Sequence, residues 1–417
     1  MNANVLDHKK LYRLPWTLPD NGISWLEPTS MCNLACDGCY RKNRLNEHKS
    51  FEAVCADLDV FERLRKSDCI SIAGGEPLLY PHIVKLVAEI KRRGLKPIIN
   101  TNGMALTPEL LRELHQAGVF GFTFHVDQNQ GRGGKWYGKN EIELNALRLQ
   151  YASLMAEYGD ISCSFNATIY SENRRYVPDL IRWAQEHIDL VQNMVFILFR
   201  HVIPEMPFDW YAGGDRVDWD KVWYHSDSKR EIELNSPQLV AQIREHDPDF
   251  SPSAYLNGTE QPDALKWLLS ERIATKDRIY GYVGPKFVEL LMSYYHFRHD
   301  RYLSYVSPLA TRTGRLAMFL LWPFDRSMRK ITSRYLATLL RNPFKIFQRV
   351  HLQSITFIQP VDCMVDGRQS MCDGCPDMTV HNGDLVWSCR MEELHQFGTF
   401  LRTVPKKEPK PGETIAH

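Results

Sequence analysis

The chain has 417 residues, is 44% hydrophobic and 24% charged, and carries a formal net charge of +1. That composition fits a globular protein of two or three domains and leaves no electrostatic footprint for nucleic acid. The N-terminus MNANVLDHKKLYRLPW lacks the apolar core of a signal peptide, and no run of about eighteen apolar residues occurs, so the expected location is cytoplasmic without a membrane span. Ten cysteines without an export signal point to reduced thiols and metal ligation rather than disulfides.

In chain order, residues 1–21 read as an N-terminal extension. Ile23–Leu26 is a first strand running into Cys32-Asn33-Leu34-Ala35-Cys36-Asp37-Gly38-Cys39-Tyr40. Three thiolates at C-x3-C-x2-C can hold three irons of a [4Fe–4S] cluster. No further cysteine falls in the next fifteen residues, which leaves one iron open. Zinc and plain buried thiols are the alternatives, but structural zinc wants four ligands and no histidine or fourth cysteine is adjacent. Ser50 is an N-cap for a helix whose apolar residues Phe51, Val54, Leu58, Phe61 and Leu64 recur at helical spacing. Strands are then expected at Cys69–Ala73, Pro97–Asn100, Phe122–Val126, Ser162–Ile169 and Met194–Phe199. Helices are expected at Ile83–Arg93, Pro108–Gln116, Glu141–Tyr158 and Val177–His187. Strict alternation of strand and helix over 22–204 implies a parallel α/β sheet with polar motifs at the strand C-termini.

Gly74-Gly75-Glu76-Pro77 closes the second strand. Its glycines would let backbone approach a ligand, and its carboxylate can pair with an ammonium. Together with the cysteine loop it resembles the radical S-adenosylmethionine (SAM) superfamily. The resemblance implies a partial (βα)6 TIM-like barrel in which SAM chelates the open iron. Electron transfer from the cluster then cleaves SAM to methionine and a 5′-deoxyadenosyl radical. It also implies a low-potential electron donor such as ferredoxin or flavodoxin. Gly74, Gly75, Glu76 and Pro77 become SAM-binding candidates, joined by Asn102 of a Thr101-Asn102-Gly103 segment, Asp127, Asn166 and Arg200. Tyr40, His125 and Asp127 are candidates to line the reacting site, with Thr168 close by. One departure stands out: the family has an aromatic residue before its third cysteine, and here Gly38 occupies that place.

Residues 205–350 read as a helical insertion. Within it, 312–349 joins an apolar stretch, Leu316–Phe324, to many cations opposed by Asp325 alone. This pattern suits either a buried helix pair with a basic edge or peripheral contact with an anionic membrane. Residues 351–400 contain Cys363, Cys372, Cys375 and Cys389, together with a hairpin turning at Asn382-Gly383. The four thiolates resemble a SPASM/Twitch-type domain holding one auxiliary [4Fe–4S] cluster, with a zinc ribbon as the alternative. Residues 401–417 read as a flexible tail. Only 31 residues precede Cys32, too few for a leader-binding domain. With the basic apolar stretch, this favours hydrogen abstraction from a hydrophobic, lipidic small molecule over a peptide-modifying maturase. Non-enzyme alternatives are an iron–sulfur electron carrier or a zinc-stabilised membrane-contact protein.

Overall fold

The computed structural model describes residues 6–200, 205–223, 225, 234–364 and 366–406. Its strands are β1 (Tyr12–Arg13), β2 (Ile23–Thr29), β3 (Cys69–Gly74), β4 (Lys96–Thr101), β5 (Gly121–His125), β6 (Ser162–Ile169) and β7 (Asn193–Leu198). They continue as β8 (Phe208–Ala212), β9 (Asp215–Val217), β10 (Ala254–Leu256), β11 (Trp267–Thr275), β12 (Arg278–Tyr282) and β13 (His351–Ile358). The last are β14 (Asp362–Cys363), β15 (Gln369–Ser370), β16 (Met378–His381), β17 (Asp384–Trp387) and β18 (Leu401–Pro405). The helices are α1 (Phe51–Leu64), α2 (Ile83–Arg92), α3 (Pro108–Gln116), α4 (Asn145–Ala156), α5 (Val177–Glu186) and α6 (Ser236–His246). After them come α7 (Pro285–His299), α8 (Pro308–Thr311), α9 (Gly314–Leu321), α10 (Arg326–Arg341) and α11 (Met391–Phe397).

Strands β2 to β7 pair in parallel in sequence order, each crossing over through a helix. The caps expected from sequence are present: Ser50 accepts from Ala53 N and Thr107 from Leu110 N. The strands between are almost wholly buried, as a sheet covered on both faces requires. Leu86, Val87 and Ile90 of α2 and Leu111 and Leu114 of α3 pack on that sheet in one continuous core. The helix expected over Glu141–Tyr158 is shorter, because Glu141 is a buried ligand of Arg148 rather than part of the helix.

Three expectations are corrected. The region 205–350 is not a helical insertion alone: β10, β11 and β12 join the main sheet. Residues 351–358 do not begin a separate small domain. As β13 they pair parallel to β7 and antiparallel to β11, making a seventh parallel strand. The tail begins with β18, which pairs with β8; residues 407–417 lie outside the described residues. The N-terminal extension is likewise tied in, because β1 pairs with β10.

Polar groups decide part of this arrangement. Arg272 of β11 is fully buried, and its guanidinium donates to Gln353 of β13 and to Ile181 O. Gln353 in turn donates to Ala184 O and Val191 O. The network satisfies groups that would each cost about 1–3 kcal/mol if buried unpaired, so β13 is held in its slot by hydrogen bonds as well as by packing. The expected hairpin is present as β16 and β17, with Asn382 at φ 52° and Gly383 at φ 87°. That pair of left-handed residues is the turn Asn-Gly favours.

Candidate active site

The C-terminal ends of β3 to β7 and of β13, the loop after β2 and the segment carrying the distal cysteines enclose one cavity of about 1170 Å³. All seven cysteines of the two groups line it, as do Gly74, Gly75, Glu76, Asn102, His125, Asp127, Asn166, Thr168, Arg200 and Tyr40. Pro77 does not. It opens a short 3₁₀ turn, so its role is to end the strand rather than to touch a ligand.

Cys32, Cys36 and Cys39 line the mouth of the cavity, each within electrostatic reach of another of the three, although among the described residues no three cysteine, histidine or carboxylate side chains are gathered closely enough to hold a metal ion as they stand. Asn43 holds the first of them by a reciprocal pair, Cys32 N to Asn43 Oδ1 (3.0 Å) and Asn43 Nδ2 to Cys32 O (2.9 Å). Burial pushes all three thiols up, so each stays protonated unless a cation compensates the thiolate.

The two glycines line the cavity and also permit a close approach of backbone to backbone. A Cβ on Gly74 (φ +103°) would stand 2.4 Å from Thr29 O, and one on Gly75 would stand 2.2 Å from Met31 O. They let the end of β3 lie against the chain entering the cysteine loop, where Gly75 N donates to Thr29 O and Glu76 N to Met31 O. Glu76 is buried. Its oxygens accept from Leu78 N (3.0 Å), Thr101 Oγ1 (2.5 Å) and Asn102 N (2.8 Å). Burial raises this carboxyl while those donors oppose the shift. Asn102 also reaches the cysteine loop, with Nδ2 on Asn33 Oδ1 at 2.7 Å.

Asp127 is buried beneath His125. Its Oδ2 lies 2.8 Å from His125 Nε2 and accepts from Thr168 N (3.2 Å), while Oδ1 accepts from Asn129 N (2.9 Å). Burial raises its carboxyl, but His125 and the backbone donors prevail and hold it below the usual range. The loop carrying it rests on the fully buried Arg148–Glu141 pair (2.6 Å), whose carboxylate also accepts from Gln128 N. Asn166 presents a buried Oδ1 with no hydrogen-bond partner among the described residues. Arg200 is engaged: its Nε donates to Asp362 Oδ1 (2.7 Å), and Asp362 also accepts from Lys266 and Gln359. Tyr40 donates to Glu27 Oε1 (3.0 Å), and Trp25 Nε1 donates to its hydroxyl. Burial, with the Glu27 carboxylate beside it, keeps that phenol protonated.

The aromatic residue missing at position 38 is supplied by another element. Gly38 sits at φ +68°, and a Cβ there would overlap the Phe199 ring at 2.1 Å. Phe199, following β7, thus occupies the space beside the third cysteine, packed on Tyr170 at 4.6 Å between ring centroids.

In the distal group, Cys372, Cys375 and Cys389 interact with one another. Hydrogen bonding to Cys372 and burial push Cys375 far up, and burial takes Cys389 up to about 12. Cys363 packs against the apolar cluster of Phe208 and Trp210, whereas Cys372 and Cys375 pack in another, and burial pushes its thiol up to about 12. The Cys372–Cys375 turn is fastened to the N-terminal segment by Arg13 on Asp373 and Asn21 on Gly374 O. A Cβ on Gly374 would meet Trp16 O at 2.2 Å.

Several residues of the site carried no sequence signal. Arg132 is buried and ties two loops of the mouth together, donating to Asn102 O (2.7 Å) and His125 O (2.8 Å). Arg41 bridges Glu27 (3.5 Å) and Glu392 (3.2 Å), and Arg44 donates to Glu392 (2.5 Å). The loop after Cys39 is thereby latched to α11, just after Cys389. Asp377 lines the cavity; burial takes its carboxyl up to about 7, with Arg65 opposing.

Residues 26–184 match the sequence profile of the Radical SAM superfamily. The chain carries a radical SAM domain. That family uses a [4Fe–4S] cluster and SAM, and the site fits both. Three thiols of one loop, the hydrogen-bonded Glu76 carboxylate and the buried Asn166 acceptor all line the same cavity. The tungsten-containing aldehyde ferredoxin oxidoreductase cofactor-modifying protein of Pyrococcus furiosus is 36% identical over 167 residues, 38% of this chain and 47% of that protein. PqqA peptide cyclase of Gluconobacter oxydans is 29% identical over 178 residues, 41% and 48% respectively. Streptococcus suis SuiB bound to S-adenosylmethionine aligns with TM-score 0.39 and 16% identity over 55% of this chain and 48% of that one. The chain spans about half the length of the curated relatives it matches. Among the described residues no helix is long and apolar enough to cross a membrane.

Proposed function

We propose that this protein is a radical SAM enzyme that modifies a peptide or protein side chain by abstracting hydrogen from an unactivated C–H bond. The observation that carries the reading is the single cavity into which both cysteine groups and Glu76 open. Bound there, the cluster and SAM supply the 5′-deoxyadenosyl radical. The protein does the rest. Cys32, Cys36 and Cys39 hold the cluster. Glu76, Asn102 and Asn166 orient SAM, and Phe199 gives it an apolar wall. His125, held by Asp127, lines the same space, as do Arg200 and Asp362, which Lys266 anchors from behind the lining. Cys372, Cys375 and Cys389, with Cys363 at the edge, hold an auxiliary cluster. Asp377 lines the same cavity.

A peptide substrate draws support from the match to PqqA peptide cyclase. A lipid substrate drew on the apolar stretch around Leu316–Phe324, but α9 packs near the start of β13, whereas the cavity is lined by residues at its end, Ile358–Pro360. The test is 5′-deoxyadenosine release by reduced, iron-reconstituted protein given SAM and either peptide or lipid fractions. Peptide-dependent release, with deuterium carried from labelled peptide into 5′-deoxyadenosine, is expected. Release that depends on the lipid fraction alone would replace this substrate class with the other.

A further inference from the structure

Helices α9 and α10 form a hairpin whose inner side, Met318, Met328, Ile331 and Tyr335, is buried in a second core cluster with β12 and β13 behind it. The outer side is apolar and uncovered. Leu316 is 57% exposed, Leu340 87%, Phe344 79% and Phe347 82%. These residues are close together in space. Arg315 of α9 donates to Ile346 O and Gln348 O, which brings the 3₁₀ turn Pro343–Phe347 against α9, and Phe319 stands 6.5 Å from the Tyr335 ring of α10.

The charge around this face has one sign. Between residues 312 and 349 there are nine Arg and Lys residues and one acidic residue, Asp325, which is buried as the cap of α10. Lys330 and Arg334 are paired with Asp249, and Lys345 with Asp277. Arg326, Arg341 and Arg349 are exposed, with no ion pair among the described residues. A second copy of this chain docking face to face would bring like charges together. An apolar face accompanied by a net excess of cations, three of them exposed arginines with no ion pair among the described residues, is complementary to an anionic bilayer surface, where rings enter the interface and guanidinium groups meet headgroups.

The position of the face in the fold sets an orientation. Gly314 lies against Val350 and His351 at the start of β13, and Lys345 pairs with Asp277 in the β11–β12 turn, which lies at the same end. The cavity is lined by residues at the opposite end, Leu198–Arg200 after β7 and Ile358–Pro360 after β13. We propose that the α9–α10 hairpin and the 3₁₀ turn after it dock this protein peripherally on anionic membranes, with the catalytic cavity directed away from the bilayer. The proposal does not depend on the reaction or on its substrate.

Co-sedimentation of the whole protein with phosphatidylglycerol-rich vesicles and with pure phosphatidylcholine vesicles tests it. Binding to the anionic vesicles is expected, falling as salt rises. The combined variant Leu340→Ser, Phe344→Ser, Phe347→Ser should lose at least tenfold in vesicle affinity. A separate variant, Arg326→Gln, Arg341→Gln, Arg349→Gln, should lose the anionic preference. All six residues are exposed, and an unchanged thermal unfolding profile confirms that each variant is folded. On vesicles, amide exchange should slow over 314–347 and stay unchanged over 359–364. Absence of binding at low salt, equal binding by the variants, or protection at 359–364 would overturn the proposal. So would concentration-dependent self-association through this face without vesicle binding.

Discussion

The two cysteine groups line the same cavity but are built in opposite ways. Cys32, Cys36 and Cys39 belong to one eight-residue span, and contacts within the loop, such as Asn43 on Cys32, set much of its shape. The distal group spans 27 residues of chain (363 to 389), and its turn is held by Arg13 and Asn21, more than 350 residues away in sequence. The first site is local chemistry displayed at strand ends. The second exists only when the fold is complete, and the Arg41–Glu392–Arg44 latch is where the two meet.

That contrast can be broken or sharpened experimentally. Cys32→Ala should abolish 5′-deoxyadenosine formation under dithionite and remove about four irons per chain, the content of one [4Fe–4S] cluster. Measurable turnover would sink the ligand assignment. In the distal group, Cys389→Ala should lose more iron than Cys363→Ala, because Cys389 is within electrostatic reach of Cys372 while Cys363 packs in a different apolar cluster from Cys372 and Cys375. Equal losses would show that all four thiols act as one set. Glu76→Gln should weaken SAM binding roughly 10–100-fold in equilibrium dialysis, as expected for losing a charge-assisted hydrogen bond of about 1.5–3 kcal/mol.

Glu392→Gln tests the latch and should cost about 2 kcal/mol of unfolding free energy in denaturant titration. Burial raises the Glu392 carboxyl, but Arg44 and Arg41 outweigh it and the net shift is downward. A carboxyl lower in the folded than in the unfolded state stabilises above its unfolded value, and that stability is lost as pH falls through the folded one. The wild type should therefore lose more stability than the variant on acidification below the ordinary glutamate range. The smallest effect is expected for Phe199→Ala. Loss of one aromatic packing wall, about 0.5–1.5 kcal/mol, should weaken SAM roughly 2–10-fold without changing iron content.

The same contrast explains what could be read from sequence. The six strands from β2 to β7 and their helices were legible because each is a short apolar run beside an amphipathic helix with its own cap. The cysteine loop and Gly74–Pro77 were legible because their spacing is local. Strands β11 and β13 were not, since Arg272 and Gln353 place polar groups in buried positions whose partners lie about 80 to 170 residues away. Gly38 read as a missing aromatic, because nothing local indicates that Phe199 enters from β7. Arg132 and Arg41 resemble any surface arginine in the sequence and are identified only by burial.

The interior position of β13 has a consequence for synthesis. Until residue 358 has left the ribosome, β7 presents an open strand edge on a half-finished parallel sheet, and β11 has no partner on the side β13 will fill. Pairings of such sequence separation close slowly, and an uncovered edge invites pairing with other chains. The radical SAM segment therefore cannot mature as it is made. Its wall is completed by β13, which places assembly of the reaction chamber after translation past residue 358.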